Sequence, residues 1–199
     1  MGMVIIIDDR EKYPYNFSLL PGGNIKTDRV RLLVGDYTIA GLEGDIAAER
    51  KSVRDFFRCL DEDYERFSRE IIKGKTQVVN YRVYVEEIKA KIEQELKKNK
   101  LMQDRYYYLS NFCGVDFRFY DGVTETAKGV LRWFKDVFAA GEKAALDGLM
   151  PSEKLDIFCK PNKANTMPIY TARNTAAPPI PPFQPPPIPP FQPPSDEEP

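Results

Sequence analysis

Gly35-Asp36, followed by Glu49-Arg50-Lys51, is the stretch whose residue types and spacing could do chemistry. Side chains alternate along an extended chain, so Glu49 and Lys51 share one face of a strand while Arg50 points to the other. A hairpin return from Asp36 would bring its carboxylate beside them, gathering two carboxylates and an ammonium. Such a set suits a hard, oxygen-seeking ion such as Mg²⁺, which takes one or two protein carboxylates and keeps waters for reaction. The chemistry that follows is phosphodiester hydrolysis. The ion polarises a phosphoryl oxygen and acidifies a water, and the lysine orients that water or receives its proton.

Composition narrows the alternatives. The chain has no histidine, which excludes Ser-His-Asp and Cys-His catalysis, His-bound zinc and histidine acid–base chemistry. Its three cysteines, Cys59, Cys113 and Cys159, are scattered and odd in number, and they supply neither a disulfide framework nor a zinc knuckle. A formal net charge of -1 gives no whole-protein attraction to a polyanion, so contacts to nucleic acid must be local. Arg54 and Arg58 on one helix flank, and Lys97 and Lys98 further on, are candidates for phosphate contact, although a solvated charged face is the commoner role of such runs. The Tyr106-Tyr107-Tyr108 run offers stacking surfaces for bases, but its place in an amphipathic helix favours packing.

The elements that must position these residues alternate between strand and helix. Met3–Ile7 is an apolar run rich in β-branched residues that reads as a buried strand ending at Asp8-Asp9. From 29 to 50 the pattern predicts a meander of three short strands, over 30–34, 37–39 and 46–50. Val53, Phe56, Phe57 and Leu60 then recur at helical spacing, with Ser52 placed as the N-cap, and a second helix follows through Tyr64, Phe67 and Ile71. Tyr81–Val85 reads as a strand, 88–112 as a helix stopped by Gly114, and 115–119 as a strand with one buried face. Val130, Leu131, Phe134, Val137 and Phe138 mark a last amphipathic helix, whose apolar stripe either closes the core or pairs two subunits. The order predicts an α/β fold, with a mixed central sheet flanked by helices.

These residues resemble the nuclease domain of the XPF-type structure-specific endonucleases, whose signature is G-D, a spacer, then E-R-K-x-x-x-D. It is complete here as Gly35-Asp36, Glu49-Arg50-Lys51 and Asp55, and the family's D-x-R-E at the end of its first strand appears as Asp8-Asp9-Arg10-Glu11. The resemblance covers roughly residues 3–140. It implies a restriction-endonuclease-like core, with Asp8, Asp36 and Glu49 around Mg²⁺ (Mn²⁺ substituting) and Lys51 near the nucleophilic water. Arg10, Arg50 and Asp55 occupy further motif positions, as shaping the site or holding phosphate. Asp55 has a rival role, because Ser52-x-x-Asp55 is also capping-box spacing. The implied partner is DNA, branched or forked, with homodimer or heterodimer pairing. The tandem helix-hairpin-helix module common in the family has no counterpart in this sequence.

Three regions are expected: the nuclease domain over 1–140, an extension or linker over 141–176, and a Pro-rich tail with an acidic end over 177–199. The tail repeats Ile-Pro-Pro-Phe-Gln-Pro-Pro from Ile180 and Ile188, cannot bury a core, and reads as disordered or polyproline II, with a Pro-motif-binding partner as its alternative role. No run approaches a membrane span and the apolar opening is too short for a signal peptide, so an intracellular protein is expected, with cytoplasm and nucleus not distinguished. Two other readings stand beside the nuclease: a scaffold of the same fold that grips DNA or an active subunit without cutting, and an adaptor working through the tail.

Overall fold

The computed structural model describes residues 2–21 and 25–146, with side chains as far as residue 141. The expected tail and most of the expected extension lie outside the described residues. Six strands form one mixed sheet: β1 (Val4–Asp8), β2 (Lys26–Val30), β3 (Tyr37–Ile39), β4 (Ile46–Lys51), β5 (Asn80–Val85) and β6 (Asp116–Phe119), in the order β2-β1-β3-β4-β5-β6. β3 runs antiparallel to both of its neighbours, and the other pairs are parallel. β1 and β4 therefore point the same way on either side of β3.

Period-two alternation divides the core between the two sheet faces. Ile5, Ile7, Ile46, Ala48 and Tyr84 pack with Tyr15, Phe17 and α5 (Gly122–Leu146), whose Val130, Leu131, Phe134 and Val137 are buried. That stripe thus closes the core of this chain. On the other face, Ala47, Tyr81, Val83 and Val85 pack against α1 (Val53–Leu60), α2 (Tyr64–Gln77), α3 (Lys89–Leu96) and α4 (Lys100–Tyr107). Asp8, Glu49 and Lys51 have the parity of this second face.

Two local expectations are corrected. The segment around Val30–Val34 is not the first strand of a meander. The strand is Lys26–Val30, fully exposed, and it pairs parallel with β1 instead of forming a hairpin with β3. An edge strand with no buried face carries no apolar alternation, and Arg31–Val34 forms the connection that lets β1 stand between β2 and β3. The expected helix over 88–112 is broken: α3 ends at Leu96, and Asn99 starts α4 by accepting the Met102 N–H at 3.2 Å. A π-helical turn, Tyr108–Phe112, then leads to Gly114, whose φ of 61° is the left-handed stop that glycine makes cheaply. Among the described residues, no helix is long and apolar enough to cross a membrane.

Candidate active site

The carboxyl ends of β1 and β4 and the start of β3 meet at one edge of the sheet, where open α/β sheets place their ligands. Asp8 closes β1, Glu49 and Lys51 close β4, and Asp36 stands just before β3. The backbone locks Asp36 between its neighbours, since its carbonyl accepts the Asp8 N–H at 2.8 Å and its own N–H donates to the Ala48 carbonyl at 2.8 Å. Gly35 permits this wedge. Its φ is +73°, and a Cβ there would lie 3.0 Å from the Ala47 Cβ and 3.1 Å from the Ala48 carbonyl oxygen. With Tyr37 registered on Ala48, Asp36 comes alongside Glu49, and its Oδ2 accepts the Arg50 backbone N–H at 2.7 Å.

These residues line a cavity of about 310 Å³ together with Arg10, Glu11, Leu33, Val34, Tyr81 and three residues of α2: Arg66, Glu70 and Lys73. Asp8, Arg10, Asp36, Glu49 and Lys51, named from sequence, are thus brought together. Arg50, Asp55, Arg54, Arg58, Lys97 and Lys98 do not line this cavity.

Charge inside it is unevenly matched. Lys51 Nζ donates to Glu49 Oε1 at 2.6 Å and lies over the Phe67 ring; burial works against its ammonium, but Glu49, Cys59 and Asp36 together outweigh that and raise its pKa. The Tyr81 hydroxyl donates to the other oxygen, Oε2, at 3.3 Å. Asp8 is nearly fully buried, a cost to its charge that Arg10 more than offsets: Nε donates at 2.9 Å, Nη2 takes the second oxygen and the Arg10 backbone N–H donates at 2.8 Å, so its carboxyl is held below the usual range. Among the described residues, no such cation is bonded to Asp36. Burial and then the like charge of Glu49 push its pKa well above the usual carboxylate value.

Among the described residues, no three His, Cys, Asp or Glu side chains gather closely enough to hold a metal ion as they stand. The chemistry of the pair Asp36 and Glu49 nevertheless fits a Mg²⁺-type ion, which needs only one or two carboxylates when waters and substrate oxygens complete its shell. Lys51 already balances Glu49, and the pKa of Asp36 is raised first by burial and then by the nearby Glu49 charge. Glu49 would have to part from Lys51, and Asp8 from Arg10, to serve as ligands.

The other motif residues have different surroundings. Arg50 points to the opposite face, where Nε donates to Glu86 Oε1 at 2.7 Å, Nη1 reaches Glu11 at 3.3 Å and the Tyr13 carbonyl at 3.0 Å, and the guanidinium lies over the Tyr15 ring. Asp55 sits in the first turn of α1. Its N–H donates to Ser52 Oγ at 3.1 Å, and that hydroxyl donates back to Asp55 Oδ2 at 2.7 Å, so it serves the helix cap. Ser52→Ala is accordingly expected to cost about 1 kcal/mol in urea denaturation. Arg58 pairs with Asp63 and Asp55, and Lys98 with Glu95. Sequence reasoning missed Tyr81, Arg66, Glu70 and Lys73. The helical spacing of Arg66, Glu70 and Lys73 was readable, but nothing local tells which face of α2 meets the cavity.

No protein-family model matches the chain, and no curated protein matches it in sequence. Solved structures share its fold. XPF from Aeropyrum pernix aligns with a TM-score of 0.53 and 17% identity, over 66% of this chain and 60% of that one. XPF from Aeropyrum pernix in complex with DNA aligns with a TM-score of 0.51 and 17% identity, over 67% of this chain and 65% of that one. The match spans less than two thirds of those structures. The expected α/β fold, a mixed central sheet flanked by helices, is therefore the fold observed, and XPF shares it.

Proposed function

We propose that this chain is a metal-dependent DNA endonuclease that hydrolyses phosphodiester bonds, acting on branched or forked DNA in repair or recombination. The observation that supports it is the convergence of Asp8, Asp36, Glu49 and Lys51 in one cavity at the carboxyl ends of β1 and β4. Asp36 and Glu49 would hold Mg²⁺ or Mn²⁺, with Asp8 as a third carboxylate in the same cavity. When bound, the ion supplies Lewis-acid activation of the phosphate and of a water. Lys51, kept charged by its surroundings, is placed to fix a water or a phosphate oxygen by donating hydrogen bonds. Tyr81 fixes Glu49 by donating to its second oxygen. Arg10 keeps Asp8 ionised and oriented.

The test is cleavage of duplex, forked, flapped and four-way DNA with Mg²⁺, Mn²⁺ or EDTA. Cutting is expected only with metal, and Lys51→Ala is expected to lower it by about 10²-fold or more. Cutting that persists in EDTA, or that survives both Lys51→Ala and Asp36→Asn, would refute the assignment. A second reading, the non-cleaving scaffold, draws on the pairing of Asp8 with Arg10 and of Glu49 with Lys51, which occupies two of the three carboxylates. It predicts DNA binding without metal-dependent turnover on any member of the panel.

A further inference from the structure

We propose that Lys73 contacts a backbone phosphate and seats the DNA strand over the Asp36–Glu49 pair, an inference that rests on the nuclease reading for the strand it serves. Four cations line the cavity: Arg10, Lys51, Arg66 and Lys73. Three are engaged. Arg10 is bonded to Asp8 and the Leu32 carbonyl, Lys51 to Glu49, and Arg66 to Asp63 and Glu70. The Lys73 ammonium has no hydrogen bond or ion pair to any other described residue. It is the cationic counterpart of Asp36, the acidic group in the same cavity to which, among the described residues, no cation is bonded.

The position of Lys73 is fixed by the fold. Arg66, Glu70 and Lys73 recur at i, i+4 and i+7 on α2, so one helical face borders the cavity. The next residue, Gly74, lies so close to β5 that a Cβ there would stand 2.7 Å from the Tyr81 ring. Tyr81 in turn donates to Glu49. The backbone at Lys73 is thus anchored, through Gly74 and Tyr81, to the side chain that would hold the ion, and only the flexible stem of the lysine is free to follow a phosphate.

Electrostatics favour such a group. Asp8, Glu11, Asp36, Glu49 and Glu70 line the same cavity, and all but Asp36 are paired with a cation of another residue, which leaves the Lys73 charge to face a phosphodiester. A lysine meets a phosphate as a point charge with no demand on base identity, so the ligand is the nucleic-acid backbone, read without sequence.

The experiment uses the full chain and a fluorescently labelled DNA duplex of about 20 base pairs, with Ca²⁺ replacing Mg²⁺, titrated between about 50 and 200 mM salt. Losing one phosphate contact is expected to reduce the slope of log K against log salt by about 0.9 in Lys73→Ala, equally for unrelated sequences. Lys73→Arg is expected to keep the slope, and Lys128→Ala, outside the cavity, to leave it unchanged. In cleavage with Mg²⁺ the loss should fall on KM more than on kcat, because the contact is made before and during reaction alike. A wild type that cuts DNA while Lys73→Ala retains the full slope overturns the contact and leaves the nuclease reading standing. A wild type that loses the slope on Lys73→Ala yet cuts nothing with any metal overturns the nuclease and retains the contact. A wild type that neither binds nor cuts overturns both.

Discussion

Asp36→Asn is expected to melt at a higher temperature than the wild type in EDTA at pH 7, and to lose DNA cleavage by at least about 10²-fold. The two effects have one cause. Burial and the neighbouring Glu49 raise the pKa of Asp36 in the fold, so the folded chain holds its proton at pH values where the unfolded chain has released it. Stability attached to this group is therefore present at low pH and lost as pH rises from the ordinary carboxylate range through the raised value. Above the ordinary carboxylate range the group opposes folding, because the fold must either bury its charge or take up a proton. Asparagine removes the charge, and its carbonyl oxygen can still accept the Arg50 N–H that Asp36 accepts at 2.7 Å. The gain in melting temperature should be largest at neutral pH and vanish as pH falls below the usual carboxylate value. Added Mg²⁺ reverses the ranking, because an ion at 100 times its Kd stabilises the wild type by about 2.7 kcal/mol and has lost one of its two carboxylates in the variant. An Asp36→Asn chain that melts lower in EDTA, or gains as much from Mg²⁺ as the wild type does, would contradict this account.

Arg50→Ala is expected to lower stability by about 3–5 kcal/mol, the scale of breaking a buried ion pair from one side. Glu86 is buried and depends on Arg50 for its charge partner, at 2.7 Å, while the Tyr15 hydroxyl donates to the same Glu86 oxygen at 3.1 Å. Tyr15 stacks on Tyr37, so the group ties the segment after β1 to β3, β4 and β5. Arg50→Lys should recover only part of the loss, because an ammonium cannot span Glu86, Glu11 and the Tyr13 carbonyl as the guanidinium does. Adding Glu86→Gln to Arg50→Ala should restore stability relative to the single variant, by removing the stranded charge. Urea denaturation of the wild type, Arg50→Ala, Glu86→Gln and the double variant checks the cycle, and a loss under about 1 kcal/mol for Arg50→Ala would show the pair to be marginal.

What the sequence revealed follows the reach of local patterns. Ile5–Ile7, the Glu49–Lys51 alternation and the Ser52 cap are legible because strand and helix periods act over a few residues. β2 escaped because Lys26–Val30 buries nothing, and its parallel pairing with β1 depends on a connection with no local signature. The work of Arg50 was hidden because its partners Glu86 and Glu11 are 36 and 39 residues away. Lys73 was hidden among the many charges of α2, since which helix face borders the cavity is settled only by the Gly74–Tyr81 approach.

The alternation along β4 also restricts how this chain can change length. Glu49 and Lys51 face the cavity while Arg50 serves the opposite face. A single residue inserted between Ile46 and Glu49 would exchange the two outlooks, presenting a guanidinium to the reaction centre and thrusting a carboxylate at Glu86. One more residue in the exposed bend at Gly41–Gly44 would leave the strand's phase untouched. Viable length variants should therefore carry odd-numbered indels in that bend and never inside the strand.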